Sequence, residues 1–329
     1  MRRRLAVVAT VPLVFAVAAC GTATKQTAAS PSASGSVAAA NGPAANVKDI
    51  KVSGVVGKKP TVTFPVGHPA VTSSALTITE GTGEAAVEGD TLTANVTVYN
   101  WDGKTNPSPG SDYDQGHSEF VTVKKGQLPA ALYDGLLGAK PGARVLAVVA
   151  KDNLTPEQLA SAKQSGTDFE NTSQVLVIDV MAAAPKAAHG AAADPGIKGV
   201  TLVNPGNDTA PKLTTKTSEK PPKDLVVKTV IKGEGAQVKA DQTVLAHYTG
   251  KIWGSDKQFD SSWDRGAPSS FALSQVVKGW SQGLTGVPIG SRVVISIPPE
   301  LGYGKEGNAQ GGIKGTDTLV FVVDVLAAT

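Results

Sequence analysis

The sequence predicts an α+β protein built from two tandem copies of one domain, each a curved antiparallel β-sheet wrapped around a short α-helix. Three observations carry this expectation: the chain matches itself at a slowly drifting offset, its β-branched runs are punctuated by glycine-rich turns, and one helix-spaced apolar stretch interrupts the strands of the second copy.

The self-match comes first. At an offset of 152, Thr77, Gly81, Gly83, Thr91, Ala94 and Trp101 match Thr229, Gly233, Gly235, Thr243, Ala246 and Trp253. At 151, Phe120 matches Phe271. At 148, Gln127, Gly135, Leu136, Gly138, Gly142 and Arg144 match Gln275, Gly283, Leu284, Gly286, Gly290 and Arg292. At 145, Val175, Val177, Asp179 and Val180 match Val320, Val322, Asp324 and Val325. A one-way drift is what small loop deletions after a duplication produce; chance matches would scatter.

Along the chain, Arg2-Arg3-Arg4 precede an apolar run, Leu5 to Ala16, that is too short for an ordinary membrane span. Val17-Ala18-Ala19-Cys20 then resembles the bacterial lipobox, which implies a signal peptide over 1–19 and lipidation of Cys20. Cys20 is the single cysteine, so no intrachain disulfide can form. Lipid anchoring to the cell membrane and an extracytoplasmic location follow as expectations. Residues 20–46 are mostly Ala, Ser, Thr, Gly and Pro with almost no large apolar side chain, and read as a flexible tether. The first copy spans 47–181, an alanine-rich linker 182–195, and the second copy 196–329.

In the second copy, Leu225 to Ile231, Val244 to Trp253, Ser291 to Ile297 and Thr318 to Leu326 read as strands. Val276, Val277, Trp280 and Leu284 share one face of a helix over Ser274 to Leu284, with Ser274 as its N-cap.

The net charge of +3 comes from the three N-terminal arginines, and without them 28 basic residues face 28 acidic ones. That balance leaves no electrostatic footprint for nucleic acid. The four histidines are scattered without metal-ligand spacing, and no cofactor or metal is expected. Gly279-Trp280-Ser281-Gln282-Gly283 fits the G-x-S-x-G elbow of serine hydrolases, but no histidine follows Ser281 and the segment reads as helix.

The second copy carries a more specific set of blocks. His247-Tyr248-Thr249-Gly250, Phe259-Asp260-Ser261-Ser262, Asp264-Arg265 and Val276-Val277-Lys278-Gly279-Trp280 follow one another with small gaps. Gly290-Ser291-Arg292, Ile297-Pro298-Pro299-Glu300-Leu301-Gly302-Tyr303-Gly304 and Leu319-Val320-Phe321 complete the series. In this order they resemble the FKBP-type peptidyl-prolyl cis-trans isomerase family over about residues 224–329. The resemblance implies a pocket walled by Tyr248, Phe259, Tyr303 and Phe321 with Trp280 as floor. Val276, Val277 and Ile313 would form the rim, with Asp260 and Arg265 at its edge. It implies proline-containing polypeptides as partners and tacrolimus-like macrolides as pocket ligands. Taken singly, each aromatic is ordinary core; five in register, where aromatics are 5% of the chain, point to a pocket.

Such a pocket suits prolyl isomerisation. Rotation about the bond must climb ~18–20 kcal/mol because twisting destroys amide resonance. The twisted amide is less charge-separated than the planar one, so an apolar surface penalises it less, and no nucleophile, metal or base is required. A non-catalytic peptide-binding or holdase module on the same fold remains an open alternative at this stage. Ser269, Gly312, Gln275 and the loop from Lys305 to Gly311 depart from the family pattern and open one side of the pocket.

The first copy lacks these side chains. Val96 stands opposite Tyr248, Leu132 opposite Trp280 and Leu176 opposite Phe321, while the Tyr303 position falls near Thr155 in a capped helical turn. Tyr113-Asp114 is the nearest remnant of Phe-Asp-Ser-Ser. The same fold without isomerase activity is the expectation for residues 47–181.

Overall fold

The computed structural model describes residues 45–206 and 208–329, which divide into two units, 45–183 and 184–329. The expected signal peptide, Cys20 and nearly all of the tether lie outside the described residues. Among the described residues no helix is long and apolar enough to cross a membrane.

In the first unit, β1 (Lys51–Ser53) and β2 (Thr61–Thr63) form a small hairpin. There follow β3 (Ser74–Thr79), β4 (Thr91–Trp101), β5 (Gly110–Ser111), α1 (Asp112–Gln115), β6 (Glu119–Thr122), α2 (Ala130–Leu136), β7 (Arg144–Val149), α3 (Pro156–Gln164) and β8 (Ser173–Ala183). The main sheet is antiparallel in the order β3-β7-β8-β4-β5, with β6 also paired to β4.

The second unit opens with a hairpin of β9 (Thr201–Val203) and β10 (Lys212–Thr214). Its sheet uses β11 (Val226–Ile231), β12 (Thr243–Ile252), β13 (Gln258–Ser261), β14 (Ser269–Ala272), β15 (Arg292–Ile297) and β16 (Leu319–Ala328), with α4 (Lys278–Leu284) between β14 and β15. The order is β11-β15-β16-β12-β13, with β14 also on β12. Strand for strand this repeats the first sheet, and α2 and α4 sit at the same place in the order.

Side chains alternate across a strand, and here both faces are covered. Leu319, Phe321, Val323 and Val325 of β16 face one core with Val293, Ile295 and Ile297 of β15 and with Trp280 and Leu284 of α4. Val320, Val322 and Val294 face a second core capped by Leu202 and Leu213 from the hairpin and by Ile197 and Val200 just before it. The first unit divides its valines in the same way between two cores, with Val47, Ile50, Val52 and Val62 covering the outer face.

A buried ion pair ties each hairpin segment to its sheet. Arg292 on β15 grips Asp324 on β16 through Nε and Nη2 at 2.5 and 2.6 Å, and Arg144 grips Asp179 at 2.6 and 2.7 Å. The arginine's remaining donor capacity holds the arm. Arg144 donates to the carbonyls of Gly54, Val55 and Lys58 at 2.7–3.0 Å, and Arg292 Nη1 donates to Asn204 Oδ1 at 2.7 Å. The aspartates accept backbone N–H groups, Asp179 from Gly57 and Asp324 from Ala188. Each buried charge is thereby paired and hydrogen-bonded, the condition for tolerating it.

Four expectations are corrected. The helix begins at Lys278 and is capped by extended Val277, without a side-chain cap, so Ser274 is not its N-cap. Val276 and Val277 are β-branched, which favours the extended backbone and places them against the core rather than in the first helical turn. The stretch 184–195, expected as linker, packs on the second unit: Ala187 and Ala188 are buried, and Ala193 N–H donates to Val230 O.

The register of β6 places Val121, not Phe120, at the Phe271 position, because Leu92 faces Val121 as Val244 faces Phe271. A one-residue slip exchanges the faces of a strand, and Val121 is the buried one. Finally, the Phe-Asp-Ser-Ser counterpart is the stretch 109–112 rather than Tyr113-Asp114. Gly110 and Ser111 pair with Val98 and Thr97 as Asp260 and Ser261 pair with Gly250 and Thr249. Tyr113 instead donates its hydroxyl to Asp179 of the clamp.

Candidate functional site

A cavity of about 310 Å³ opens on the helix-bearing side of the second sheet. It is lined by all ten of the expected pocket residues: Tyr248, Phe259, Asp260, Arg265, Val276, Val277, Trp280, Tyr303, Ile313 and Phe321. Ser269 and the loop residues Asn308, Gln310 and Gly311, expected to open one side of the pocket, line it as well, as does Phe271, which the sequence reading does not place there. Phe271 could have been found by alternation, since it lies on β14 opposite Val244, a core residue of β12.

The strands set the walls. Tyr248 projects from the middle of β12, Phe321 from β16 and Phe259 from β13, while Trp280 rises from α4 beneath them. The rings meet edge to face, the arrangement their quadrupoles favour. Trp280 lies 5.5 Å from Tyr248 at 88°, 5.4 Å from Phe321 at 82° and 4.9 Å from Phe271 at 63°. Phe259 meets Phe321 at 5.4 Å and 86°. Trp280 and Tyr248 are 4% and 5% exposed, so floor and wall are closely packed by their neighbours.

Two glycines make room. At Gly250, between these walls on β12, a Cβ would lie 2.6 Å from the Phe259 ring and 2.7 Å from the Phe321 ring. At Gly279 it would lie 2.4 Å from Ile297, so the helix approaches the sheet closely enough for Trp280 to reach the floor.

One edge is polar. The Tyr248 hydroxyl donates to Asp260 Oδ2, Arg265 Nη1 donates to Asp260 Oδ1 at 2.5 Å, and Arg265 Nη2 donates to the Tyr248 oxygen at 2.8 Å. The Arg265 guanidinium also sits 5.6 Å from the Tyr248 ring centroid. Burial, then the hydrogen bond to Asp260, push the Tyr248 pKa up, so its hydroxyl stays protonated. Behind this wall His247 stacks on Trp263 at 3.9 Å and hydrogen-bonds Ser262 at 2.9 Å, and burial pushes its pKa down to about 4. Ser281 of the G-x-S-x-G match lies inside α4, with no strand-to-helix turn beneath it.

The model of the FKBP-type peptidyl-prolyl cis-trans isomerase family matches residues 234–326, wholly within the second unit. An FK506-binding protein of Streptomyces anulatus is 42% identical over 109 residues, which cover 32% of this chain and 88% of that protein. The chain belongs to the FKBP-type peptidyl-prolyl cis-trans isomerase family. The enzyme class that follows is peptidyl-prolyl cis-trans isomerase. A probable FK506-binding protein of Corynebacterium glutamicum is 42% identical over 107 residues, 32% of this chain and 89% of that protein. FkpA of Escherichia coli, an FKBP-type peptidyl-prolyl cis-trans isomerase, is 36% identical over 165 residues, half of this chain and 58% of FkpA. The crystal structure of FkpA aligns at a TM-score of 0.31 and 35% identity, over 41% of this chain and 53% of that chain.

The corresponding face of the first unit differs from this FKBP pocket. Sheet registers place Val96 at the Tyr248 position, Val98 at Gly250 and Leu176 at Phe321. Leu132 holds the α2 position matching Trp280. A cavity of only about 40 Å³ persists there, lined by Leu132, Leu154, Phe169 and Leu176 among others. Thr155 caps α3 in a capping box with Gln158, so this copy carries a helix where the second carries the Tyr303 turns.

Proposed function

We propose that the second unit isomerises X-Pro bonds of extracytoplasmic polypeptides by seating the prolyl ring on Trp280 between Tyr248, Phe259 and Phe321. The observation that carries this reading is the cluster of aromatic rings packed on Trp280 and Phe321 with a polar edge at Asp260 and Arg265. The apolar floor destabilises the planar, charge-separated amide relative to the twisted one, and each ~1.4 kcal/mol of such difference is a factor of ten in rate. Asp260, held by Arg265 and the Tyr248 hydroxyl, is placed to accept a substrate N–H at the pocket mouth. The Arg265–Asp260 pair is about half exposed, so its role in stability is small and Asp260→Ala can probe chemistry without unfolding the unit.

The first unit, on this reading, is a degenerate FKBP-like domain serving as spacer or as a second client-binding surface. The shared strand order and the aliphatic residues at Val96, Leu132 and Leu176 support it. Tacrolimus-like macrolides would compete for the aromatic pocket. Cys20 would carry the lipid anchor that keeps the enzyme at the outer face of the cell membrane.

The test is an isomerisation assay on Leu-Pro and Phe-Pro peptides. The expected result is catalysis by the wild-type chain and a severalfold loss in Asp260→Ala with unchanged circular dichroism. A wild-type chain that binds these peptides at the uncatalysed rate would favour the holdase alternative. For the anchor, Cys20→Ala should abolish acyl labelling; detergent partitioning like wild type would defeat that part.

A further inference from the structure

Phe259 is held less squarely by its strand than the walls Tyr248 and Phe321, which pair with Val323 and Gly250 in the β12–β16 ladder. In the β12–β13 ladder Gly250 pairs with Asp260 and Lys251 with Gln258, so Phe259 is the extra residue of a β-bulge and has no partner across the strand. A bulged residue takes its aim from the chain on either side of it. On one side, Asp260 is fixed by Arg265 and the Tyr248 hydroxyl. On the other lie Gln258, Lys257 and the turn that leads back to β12.

That turn is gripped from outside the sheet. Thr215, the residue after β10, is fully buried. Its N–H donates to Asp256 Oδ1 at 2.7 Å, its hydroxyl donates to Ile252 O at 2.9 Å, and its carbonyl accepts the Gly254 N–H at 2.8 Å. Further along the arm, Glu219 O accepts the Trp253 indole N–H at 2.9 Å. Asp256 has a φ of +59°, a conformation that a residue other than glycine keeps where its surroundings fix it. Its carboxylate takes Thr215 N–H and, at 3.1 Å, Lys251 Nζ. The grip is passed on at once: Lys257 O accepts the Ile252 N–H at 2.9 Å, and Lys257 Nζ donates to Gly312 O at 3.2 Å, beside the rim residue Ile313.

We infer that Thr215 and Asp256 are positioning residues for the isomerisation: the bond between them sets the start of β13, and so the direction in which the bulged Phe259 faces the prolyl ring. This rests on the pocket reading given above, with Phe259 as a wall. The sheet does not call for such a bond, because β12 is already paired with β16 along its length, from Val244 to Ile252. Thr215 lies before β11 and before every residue that lines the cavity, so a competent pocket draws on the hairpin arm as well as on the sheet.

The experiment measures kcat/KM of the full chain on a Leu-Pro peptide, well below the unfolding temperature of each variant. The variants are Asp256→Gly, Asp256→Asn, Thr215→Val, Phe259→Leu and the double Asp256→Gly/Phe259→Leu. Glycine suits the positive φ and removes only the carboxylate, so the turn still closes. Asp256→Gly should lose about tenfold in kcat/KM, where a misplacement of about 1 Å can cost on the order of a hundredfold. Asp256→Asn keeps an oxygen for Thr215 N–H and tolerates the left-handed backbone, so it should keep most of the rate. Thr215→Val keeps the shape and the backbone bonds and should lose less than Asp256→Gly. In the double variant the added loss from Asp256→Gly should shrink, because the side chain it aims is gone. Asp256→Gly at the wild-type kcat/KM while Phe259→Leu is slowed would overturn the inference, and a fall in Tm alone would then mark a contact that serves stability. Asp256→Asn as slow as Asp256→Gly would move the role to the Lys251 charge pair and overturn it too. So would a double variant in which the two losses multiply, since Asp256 would then act elsewhere than on Phe259. Phe259→Leu at the wild-type rate would remove Phe259 from the pocket reading itself, and the inference with it.

Discussion

Gly250→Ala tests the packing of the pocket with a single carbon. Gly250 sits beside a register shift in the β12–β13 pairing but does not have a positive φ, so the main effect of the substitution comes from where the methyl lands. It would sit 2.6 and 2.8 Å from Phe259 ring carbons and 2.7 Å from one of Phe321, where real contacts begin above about 3.4 Å. Both rings must give way by most of an ångström, and each already leans on a neighbour. Phe321 is backed by Trp280 and Phe259 by Phe321. Overpacking of this kind costs about 1–3 kcal/mol. For a unit of this size that lowers Tm by roughly 3–10 °C. The rate should fall further than stability does, because the displaced rings are the walls themselves; a loss of about tenfold corresponds to ~1.4 kcal/mol of transition-state stabilisation. Thermal unfolding followed by near-ultraviolet circular dichroism, beside a peptide isomerisation assay, reads both quantities. Wild-type Tm and wild-type kcat/KM in Gly250→Ala would show that Phe259 and Phe321 are not packed over this strand, and the pocket geometry would have to be redrawn.

Other outcomes follow from the same structure. His247 is held neutral with its pKa down near 4, while an unfolded histidine titrates near 6.5. Between those values the unfolded chain binds the extra proton, so stability is present above pH ~6.5 and lost as pH falls toward 4, by at most about 3 kcal/mol. Urea titrations of His247→Phe should show a flatter pH dependence; an identical slope would remove His247 as the cause. Arg292→Met leaves Asp324 buried and uncompensated and should cost about 3–5 kcal/mol in denaturant unfolding. A loss under about 1 kcal/mol would mean that the clamp is dispensable. With the second pocket disabled by Trp280→Ala, the full chain should fall to the background rate, since Val98 and Leu176 leave the first unit no aromatic enclosure. Residual catalysis would assign activity to that unit.

The strands were legible because β-branched runs and turn glycines are local signals. Their alternation is only partial, for a reason the structure supplies: Val320 and Val322 face a second core under the β9–β10 hairpin, so both faces of β16 read as apolar. The hairpins themselves escaped notice. Three-residue strands such as Thr201–Val203 offer too little pattern, and the arms depend on long-range contacts with Arg144 and Arg292. Ser274 reads as a cap because capping residues are common in turns generally; the extended Val277, packed against the core, decides the helix start through tertiary packing, which no window of sequence contains. The aromatic pocket residues were recognisable from their blocks. Phe271 is not among them, since it lies outside the recognisable blocks.

The clamp and the pocket occupy opposite faces of the same strands: Arg292 and Asp324 hold the back of β15 and β16, while Ile297 and Phe321 serve the front. Changes on one face therefore leave the other's bonding intact. The first unit illustrates the result, keeping Arg144 and Asp179 while carrying aliphatic residues where the second has aromatics. For a protein engineer, this separation makes the first unit a ready scaffold. Its concave face can be rewritten, beginning with Val98→Gly and Leu176→Phe, without touching the residues that keep the sheet together.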